Sequence, residues 1–488
     1  MKHVGVGSYL YMLDTPTPDP SPQGGGETKG LVSMTSVLDL IGETPLVEVT
    51  QLDTGSCRLF LKLESANPSG SIKDRPARAM IEAAEADGRL KPGGTIVEAT
   101  AGNTGLGLAL VGNLKGYRTV LVVPDKMVRE KILHVKGMGA DVVLTRSDVG
   151  KGHPEYYQDM AEAITARTPG AIFINQFANP ANPRAHELTT GPEILRQMDG
   201  DVDAVVVGVG SGGTLTGIGR FLRTASPKTA MVLADPEGSI LAPYINTGKM
   251  LEAGSWAVEG IGEDFIPPNA DLSLVRHAYS ISDAESFRAA RELLLKEGLF
   301  GGSSSGTLLA AALRYCREQS EPKRVVSLVC DSGAKYLSKV YNDAFIVEEG
   351  WSDRPRYGTV RDVVINRYPE GSIIGVQPSD TLRTALARMR STDIAQLPVL
   401  DGERIVGLID ESDMLEALLD PERAKTAFAQ PVKDVMVTRL ETISADAPIA
   451  ELVPLFRKEL VAIVMDGERF LGLATRMDLI NYVRTMRA

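Results

Sequence analysis

Cysteine is scarce in this chain: of 488 residues only Cys57, Cys316 and Cys330 carry a thiol. The number is odd and the spacings do not match metal-ligand pairs. A disulfide framework and a zinc site are therefore excluded, no metal is expected, and the pattern points to a reducing compartment, the cytoplasm. Long apolar runs are missing as well. No stretch approaches the roughly 20 residues of a membrane span, and the N-terminus lacks a basic region followed by an apolar one, so neither an anchor nor a secretory signal is expected. Basic residues are outnumbered, 52 Lys and Arg against 63 Asp and Glu, giving a formal net charge of -11 and a pI near 5.2. Binding a nucleic-acid backbone needs clustered Lys and Arg, so a nucleic-acid partner is excluded and the acidic balance serves solubility.

What is present is a globular composition, 43% hydrophobic and 24% charged, long enough for two to four domains at about 150 residues each. Residues 1–33 form a leader too rich in Pro and Gly to fold, including Thr15 to Gly26, and Met34 is a candidate downstream start. From 34 to 345 short β-branched runs alternate with helical stretches. Strands are expected at 58–63, 95–98, 119–123, 141–144, 171–174, 204–209, 230–234 and 324–329. Helices are expected at 75–87, 105–115, 128–138, 156–167, 189–198, 214–223, 283–297 and 307–318. Such alternation means parallel strands with crossover helices, an α/β fold whose ligands sit at the carboxyl ends of the strands.

Four stretches carry chemistry. Asn67-Pro-Ser-Gly-Ser-Ile-Lys73-Asp-Arg75 places one lysine where a helix begins, and a lysine held inside a fold can lose its proton and form a Schiff base with an aldehyde. Ser71 with Asp74 also reads as a plain capping box variant. Thr100-Ala101-Gly102-Asn103-Thr104-Gly105 offers backbone N–H groups, an amide and two hydroxyls at a positive helix terminus, unless it is only a tight turn. Gly208 to Thr214 follows an apolar strand and opens a helix, which makes a phosphate cradle. Its Gly208, Gly210 and Gly213 also satisfy a dinucleotide fingerprint, with Asp235 at the end of the next strand as the ribose carboxylate. Gly301-Gly302-Ser303-Ser304-Ser305-Gly306 sets a hydroxyl in a flexible loop or, equally, an N-cap run of serines.

Taken together with Gln176-Phe177, Asn179-Pro-Ala-Asn-Pro183 and Val258-Glu-Gly-Ile-Gly262, these stretches resemble, in order, the pyridoxal-phosphate β-replacement family of cystathionine β-synthase and cysteine synthase. The resemblance implies a fold type II core of two domains, parallel or mixed twisted sheets with the cofactor between them, and a homodimer or higher homo-oligomer. It implies Lys73 as the Schiff-base lysine, Gly210, Ser211, Gly212, Gly213 and Thr214 as the phosphate cradle, Asn103 on the ring hydroxyl and Ser304 on the pyridine nitrogen. Thr100, Gly102, Thr104 and Gln176 are implied to hold the carboxylate of an amino-acid substrate, with Phe177, Glu259 and Gly260 beside it. A serine hydroxyl on the ring nitrogen makes a shallower electron sink than a carboxylate and favours β-elimination. Within the family Glu259 resembles cystathionine synthases, whereas Phe177 resembles cysteine synthases, and Ala101 departs from the serine common to both. Before Lys73 there is only Cys57 and His3, so no haem is expected.

After a linker at 346–357 the chain repeats itself. Val360-Arg-Asp-Val363 answers Val432-Lys-Asp-Val435, and Asp401-Gly-Glu-Arg404 with Asp413 answers Asp466-Gly-Glu-Arg469 with Asp478. Each copy reads strand, helix, strand, strand, helix, an α+β unit. This resembles a tandem pair of CBS motifs, a Bateman module, over 358–488. The resemblance implies an adenosine derivative as ligand, an adenine nucleotide or S-adenosylmethionine, with Asp413 and Asp478 on ribose hydroxyls and Thr475 beside the second; a purely structural module is the alternative. A core with this tail resembles the cystathionine enzymes, lyases that condense L-serine or an activated serine with L-homocysteine in transsulfuration. Cysteine synthesis from O-acetylserine and sulfide is the rival reading, and a non-catalytic adenylate sensor a remote one.

Overall fold

The computed structural model describes residues 36–100, 102–125, 127, 129–419, 426–458 and 460–487. The leader, the start at Met34 and the departure at Ala101 lie outside them. The core contains two sheets. In the larger, the strands run in the order β1 (Leu46–Glu48), β2 (Arg58–Leu63), β10 (Arg324–Val329), β7 (Ala204–Val207), β8 (Ala230–Pro236) and β9 (Val275–Ile281). The smaller runs β5 (Asp141–Thr145), β4 (Arg118–Pro124), β3 (Thr95–Ala99), β6 (Ala171–Phe173). All pairs are parallel except β1 with β2. Parallel strands are covered on both faces, which is why β7 is an unbroken Ala-Val-Val-Val run, buried throughout.

The core helices are α1 (Asp74–Ala86), α2 (Asn103–Leu114), α3 (Arg129–Gly137), α4 (Tyr157–Arg167), α5 (Ala181–Leu188), α6 (Thr190–Gln197), α7 (Gly213–Ala225), α8 (Leu241–Thr247), α9 (Asp283–Glu297), α10 (Ser303–Arg317) and α11 (Asp343–Glu348). α10 is buried on every side from Ser303 to Leu313, the signature of a central helix rather than an amphipathic surface one. The sequence places a flexible loop at Ser303–Ser305. They instead form the first turn of α10, because Gly302 in extended conformation takes the N-cap position. α11 carries the core past its expected end: Ile346 joins the core, and Trp351 packs edge-on against Phe287 at 4.9 Å.

The tandem holds β11 (Gln396–Asp401) with β12 (Arg404–Asp410), and β13 (Thr442–Ser444), β14 (Ala462–Asp466) and β15 (Arg469–Ala474), with helices α12 (Leu382–Thr392), α13 (Glu411–Leu419), α14 (Leu452–Arg457) and α15 (Arg476–Arg487). The second copy shows the expected order; in the first, the opening strand is only a bridge from Val376 to Val399. The two Val-(Arg/Lys)-Asp-Val arms are exchanged. Val360 and Val363 pack into the second copy's core with Ile443 and Ala462, while Val432 packs into the first copy's core with Leu382 and Val399. An Arg484–Glu349 ion pair at 2.8 Å joins the tandem to the core.

Candidate active site

Lys73 sits at the N-cap of α1, and its loop is stitched to the segment after β10. Ile72 N–H donates to the Cys330 carbonyl at 2.9 Å and Ser332 N–H to the Gly70 carbonyl at 3.1 Å. The buried Asp74 carboxylate accepts from the Ser69 N–H at 2.7 Å and from the Ser69 hydroxyl, which closes the turn. Lys73 lines a narrow cavity between the two sheets. Among the described residues no carboxylate pairs with its amine. Burial pushes its ammonium below the usual lysine range, against the pull of the Asp331 and Glu64 charges, which favours the neutral amine that a Schiff base needs.

The same cavity is lined by Asn103, by Gly210 to Thr214, by Gly260 and by Ser304. Gly212 is left-handed at φ +85°, and a Cβ on Gly213 would fall 1.9 Å from Asn182 Oδ1. That asparagine donates to the Ser211 hydroxyl at 2.9 Å and to the Gln176 carbonyl at 2.8 Å, so it holds the cradle from behind. The N-terminus of α7 directs unpaired N–H groups at the cavity, as an anion requires. His186, buried, faces Thr190 Oγ1 at 2.9 Å and Thr214 Oγ1 at 3.4 Å. Burial, then the Arg75 and Lys73 charges, holds its pKa well below the usual range, so the ring is neutral. Gly213→Ala must displace Asn182, and overpacking of this kind costs about 1–3 kcal/mol. It is expected to weaken cofactor retention roughly 10- to 100-fold, measured as cofactor lost on dialysis.

Asn103 is fixed from two sides. Its Oδ1 accepts from Lys335 Nζ at 2.6 Å and its Nδ2 donates to Asp331 Oδ2 at 2.6 Å, which leaves one N–H for the cavity. Ser304 presents a hydroxyl rather than a carboxylate, beside Cys330, whose thiol burial pushes up to about 12. Thr104 Oγ1 donates to Gln176 Oε1 at 2.7 Å, both buried, and Thr100 Oγ1 accepts from the Gly102 N–H at 3.1 Å. Phe177 lies 5.6 Å from the Phe265 ring. A second, larger chamber of about 610 Å³ shares Asn103 and Gly260 with the first and is lined by Gly102, Lys131, Glu259 and Lys335. There Glu259 is paired with Lys339 at 2.9 Å and with Lys131. Burial, then the Lys339 charge, pushes Lys131 down to about 8; its contact with Glu259 favours the charged form.

The dinucleotide alternative fails on geometry. Asp235 is fully buried and accepts from the Ala242 N–H at 2.8 Å, in the first turn of α8, so no ribose reaches it.

The family described as pyridoxal-phosphate dependent enzyme matches residues 37–331, and the CBS domain matches 360–420 and 432–485. The cystathionine β-synthase of Dictyostelium discoideum is 34% identical over 466 residues, 92% of each chain. The chain belongs to the cystathionine β-synthase family. Escherichia coli cysteine synthase A is 40% identical over 313 residues, 63% of this chain and 96% of the other. A hydrogen-sulfide-producing enzyme from Fusobacterium nucleatum superposes with a TM-score of 0.58 at 36% identity, covering 62% of this chain and all of the other.

Membership in the cystathionine β-synthase family fits what the cavity offers pyridoxal phosphate: an unpaired amine, a cradle whose glycines leave no room for a Cβ, an amide held by Lys335 and Asp331, and a neutral hydroxyl. In the tandem, Asp413 and Asp478 occupy equivalent positions in the first turns of α13 and α15. Asp413 accepts from the Asp410 N–H at 3.0 Å, and Asp478 from the Thr475 N–H at 2.6 Å and hydroxyl at 2.8 Å. Both therefore already cap helices. Sequence reading missed Asn182, His186, Asp331, Lys131 and Lys339. Asn182 stood inside a quoted motif, whereas the two lysines carry no local signal. No helix among the described residues is long and apolar enough to cross a membrane.

Proposed function

We propose that the chain condenses L-serine, or an activated serine, with L-homocysteine to give L-cystathionine. The observation that carries this reading is the convergence of Lys73, Asn103, the 210–214 cradle and Ser304 on one cavity, in a chain that matches cystathionine β-synthases over both core and tandem. Pyridoxal phosphate, when bound, supplies the electron sink that lets a Cα–H bond break and a β-substituent leave. The chain's own residues do the rest. Lys73 gives its place to the substrate amine, takes the α-proton as a base and returns one as an acid. The N–H groups of α7 and the Thr214 hydroxyl would hold the phosphate, and Asn103 would donate to the ring oxygen. Ser304, a neutral hydroxyl, would leave the ring nitrogen without a full charge. Thr100, Gly102, Thr104 and Gln176 receive the substrate carboxylate, with Phe177 and Gly260 as walls.

Several features extend this reading. The core ends after α11, an adenosine derivative occupies the tandem at Asp413 or at Asp478 with Thr475, and the chain works as a homo-oligomer. Three free thiols support the cytoplasm. The 40% identity to cysteine synthase A over 313 residues favours a second reading, sulfide as nucleophile. Mass spectrometry of products from serine or O-acetylserine, each paired with homocysteine or sulfide, separates the two. Cystathionine is expected from serine and homocysteine. Cysteine alone, from O-acetylserine and sulfide, would establish the rival.

A further inference from the structure

We infer that the second chamber docks the amino-acid head of the thiol substrate, Lys131 taking its carboxylate and Glu259, braced by Lys339, its ammonium. This rests on the proposed β-replacement and assigns its second substrate a place.

The chamber wall carries both signs of charge, Lys131 and Lys335 against Glu259 and Glu130, with His134 beside them. Lys335 is not available, because its ammonium is spent on the Ser69 and Gly70 carbonyls and on Asn103 Oδ1. Lys131 on α3 and Lys339 beyond β10 converge instead on the one Glu259 carboxylate. Lys131 stands on the chamber wall and Lys339 behind Glu259, with the exposed Glu130 the other carboxylate of the lining. A zwitterion inserted here alternates the signs: ligand carboxylate against Lys131, ligand ammonium against Glu259. The side chains of Lys131 and Glu259 are only 15% and 23% exposed, so these contacts are poorly screened and each counts for more than at a surface.

The walls fit the rest of the molecule. Leu133 and Leu337, both more than half exposed, line this chamber. Their exposure has no packing rationale within the core, but they offer an apolar surface to the methylene groups between an amino-acid head and its sulfur. The shared Asn103 and Gly260 connect the two chambers, so a thiol anchored by its head can present sulfur to the reacting centre. Glu259 is held at this boundary through its backbone, whose N–H donates to the Ser303 hydroxyl at 3.0 Å, next to Ser304 on α10.

The test compares a thiol that has the head with one that lacks it. With serine as first substrate, kcat/KM is measured for homocysteine and for 2-mercaptoethanol in the holoenzyme and in Lys131→Met, with folding checked by circular dichroism and bound cofactor by visible absorbance. The ratio of the two values is expected to fall roughly 10- to 100-fold in Lys131→Met, the range for losing a charged hydrogen bond, through a higher KM for homocysteine. Lys131→Arg is expected to keep most of the ratio. Should Lys131→Met not fold, Lys339→Met replaces it. A ratio unchanged in a folded variant overturns the inference alone. Wild-type enzyme that uses sulfide but ignores homocysteine overturns the inference and the proposed reaction together.

Discussion

Lys73→Ala is expected to remain folded and to lose product formation by at least about 10³-fold, since one side chain supplies both the covalent anchor and the proton transfers. The structure supplies the reason for the size of the effect. Among the described residues Lys73 is the one lysine that lines the first cavity; Lys335, though nearby, has its ammonium tied to two carbonyls and to Asn103. No neighbour can therefore replace it. Folding is spared because the Lys73 amine carries no ion pair, and α1 is held by Asp74 and Arg75 instead. Lys73→Arg separates charge from proton transfer. A guanidinium keeps the charge but does not deprotonate in proteins, so it is expected to fail as completely as alanine. Product formation followed by mass spectrometry, beside the visible absorbance of bound cofactor, checks both variants. Normal turnover in folded Lys73→Ala would remove the basis for every role assigned to this cavity.

The residues in that prediction were legible because their signals are local. Asn103 and the 210–214 loop each follow a strand and open a helix within a few residues, and Lys73 stands directly before a helix, so composition and position coincide in the sequence. Other elements were hidden for physical reasons. β9 lies at the sheet edge and carries Arg276 and His277, so it lacks the apolar run that marked the central strands. β1 is three residues long and antiparallel, outside the βα alternation. α5 begins within Asn-Pro-Ala-Asn-Pro, where two prolines mask the helical pattern. Asp235 misled for another reason: a fingerprint gives residue types at a spacing but not burial, and burial decides that this carboxylate caps α8. Lys131 and Lys339 were unreadable in principle. Each is one lysine among many, and its meaning comes from Glu259, far from both in sequence.

Arg75→Met is expected to destabilise the core by about 3–5 kcal/mol, the cost of leaving buried charges without their partner. The guanidinium is bidentate twice over, to Glu64 at 2.8 and 2.8 Å and to Glu193 at 2.6 and 2.7 Å. Lys62 on β2 completes the cluster at 2.9 Å from Glu193, and all four side chains are at most 5% exposed. β2, the turn after it, α1 and α6 are thus joined by one ionic network two residues from Lys73. Without Arg75, Lys62 remains as the only cation for two carboxylates, and those cannot reach water. For a core of this size the loss corresponds to a fall in melting temperature on the order of 10 °C, read by calorimetry. The wild type is expected to show the same dependence under acid. Burial works to raise the Glu193 pKa, but Arg75 and Lys62 prevail and hold it at about 2 against an ordinary 4.5. A depressed carboxylate stabilises fully above its unfolded value, so this contribution is present above about pH 4.5 and drains away as pH falls toward 2. Arg75→Met should therefore lose less stability than the wild type over that window. Parallel acid curves for the two proteins would show that the network is not what couples this core to pH.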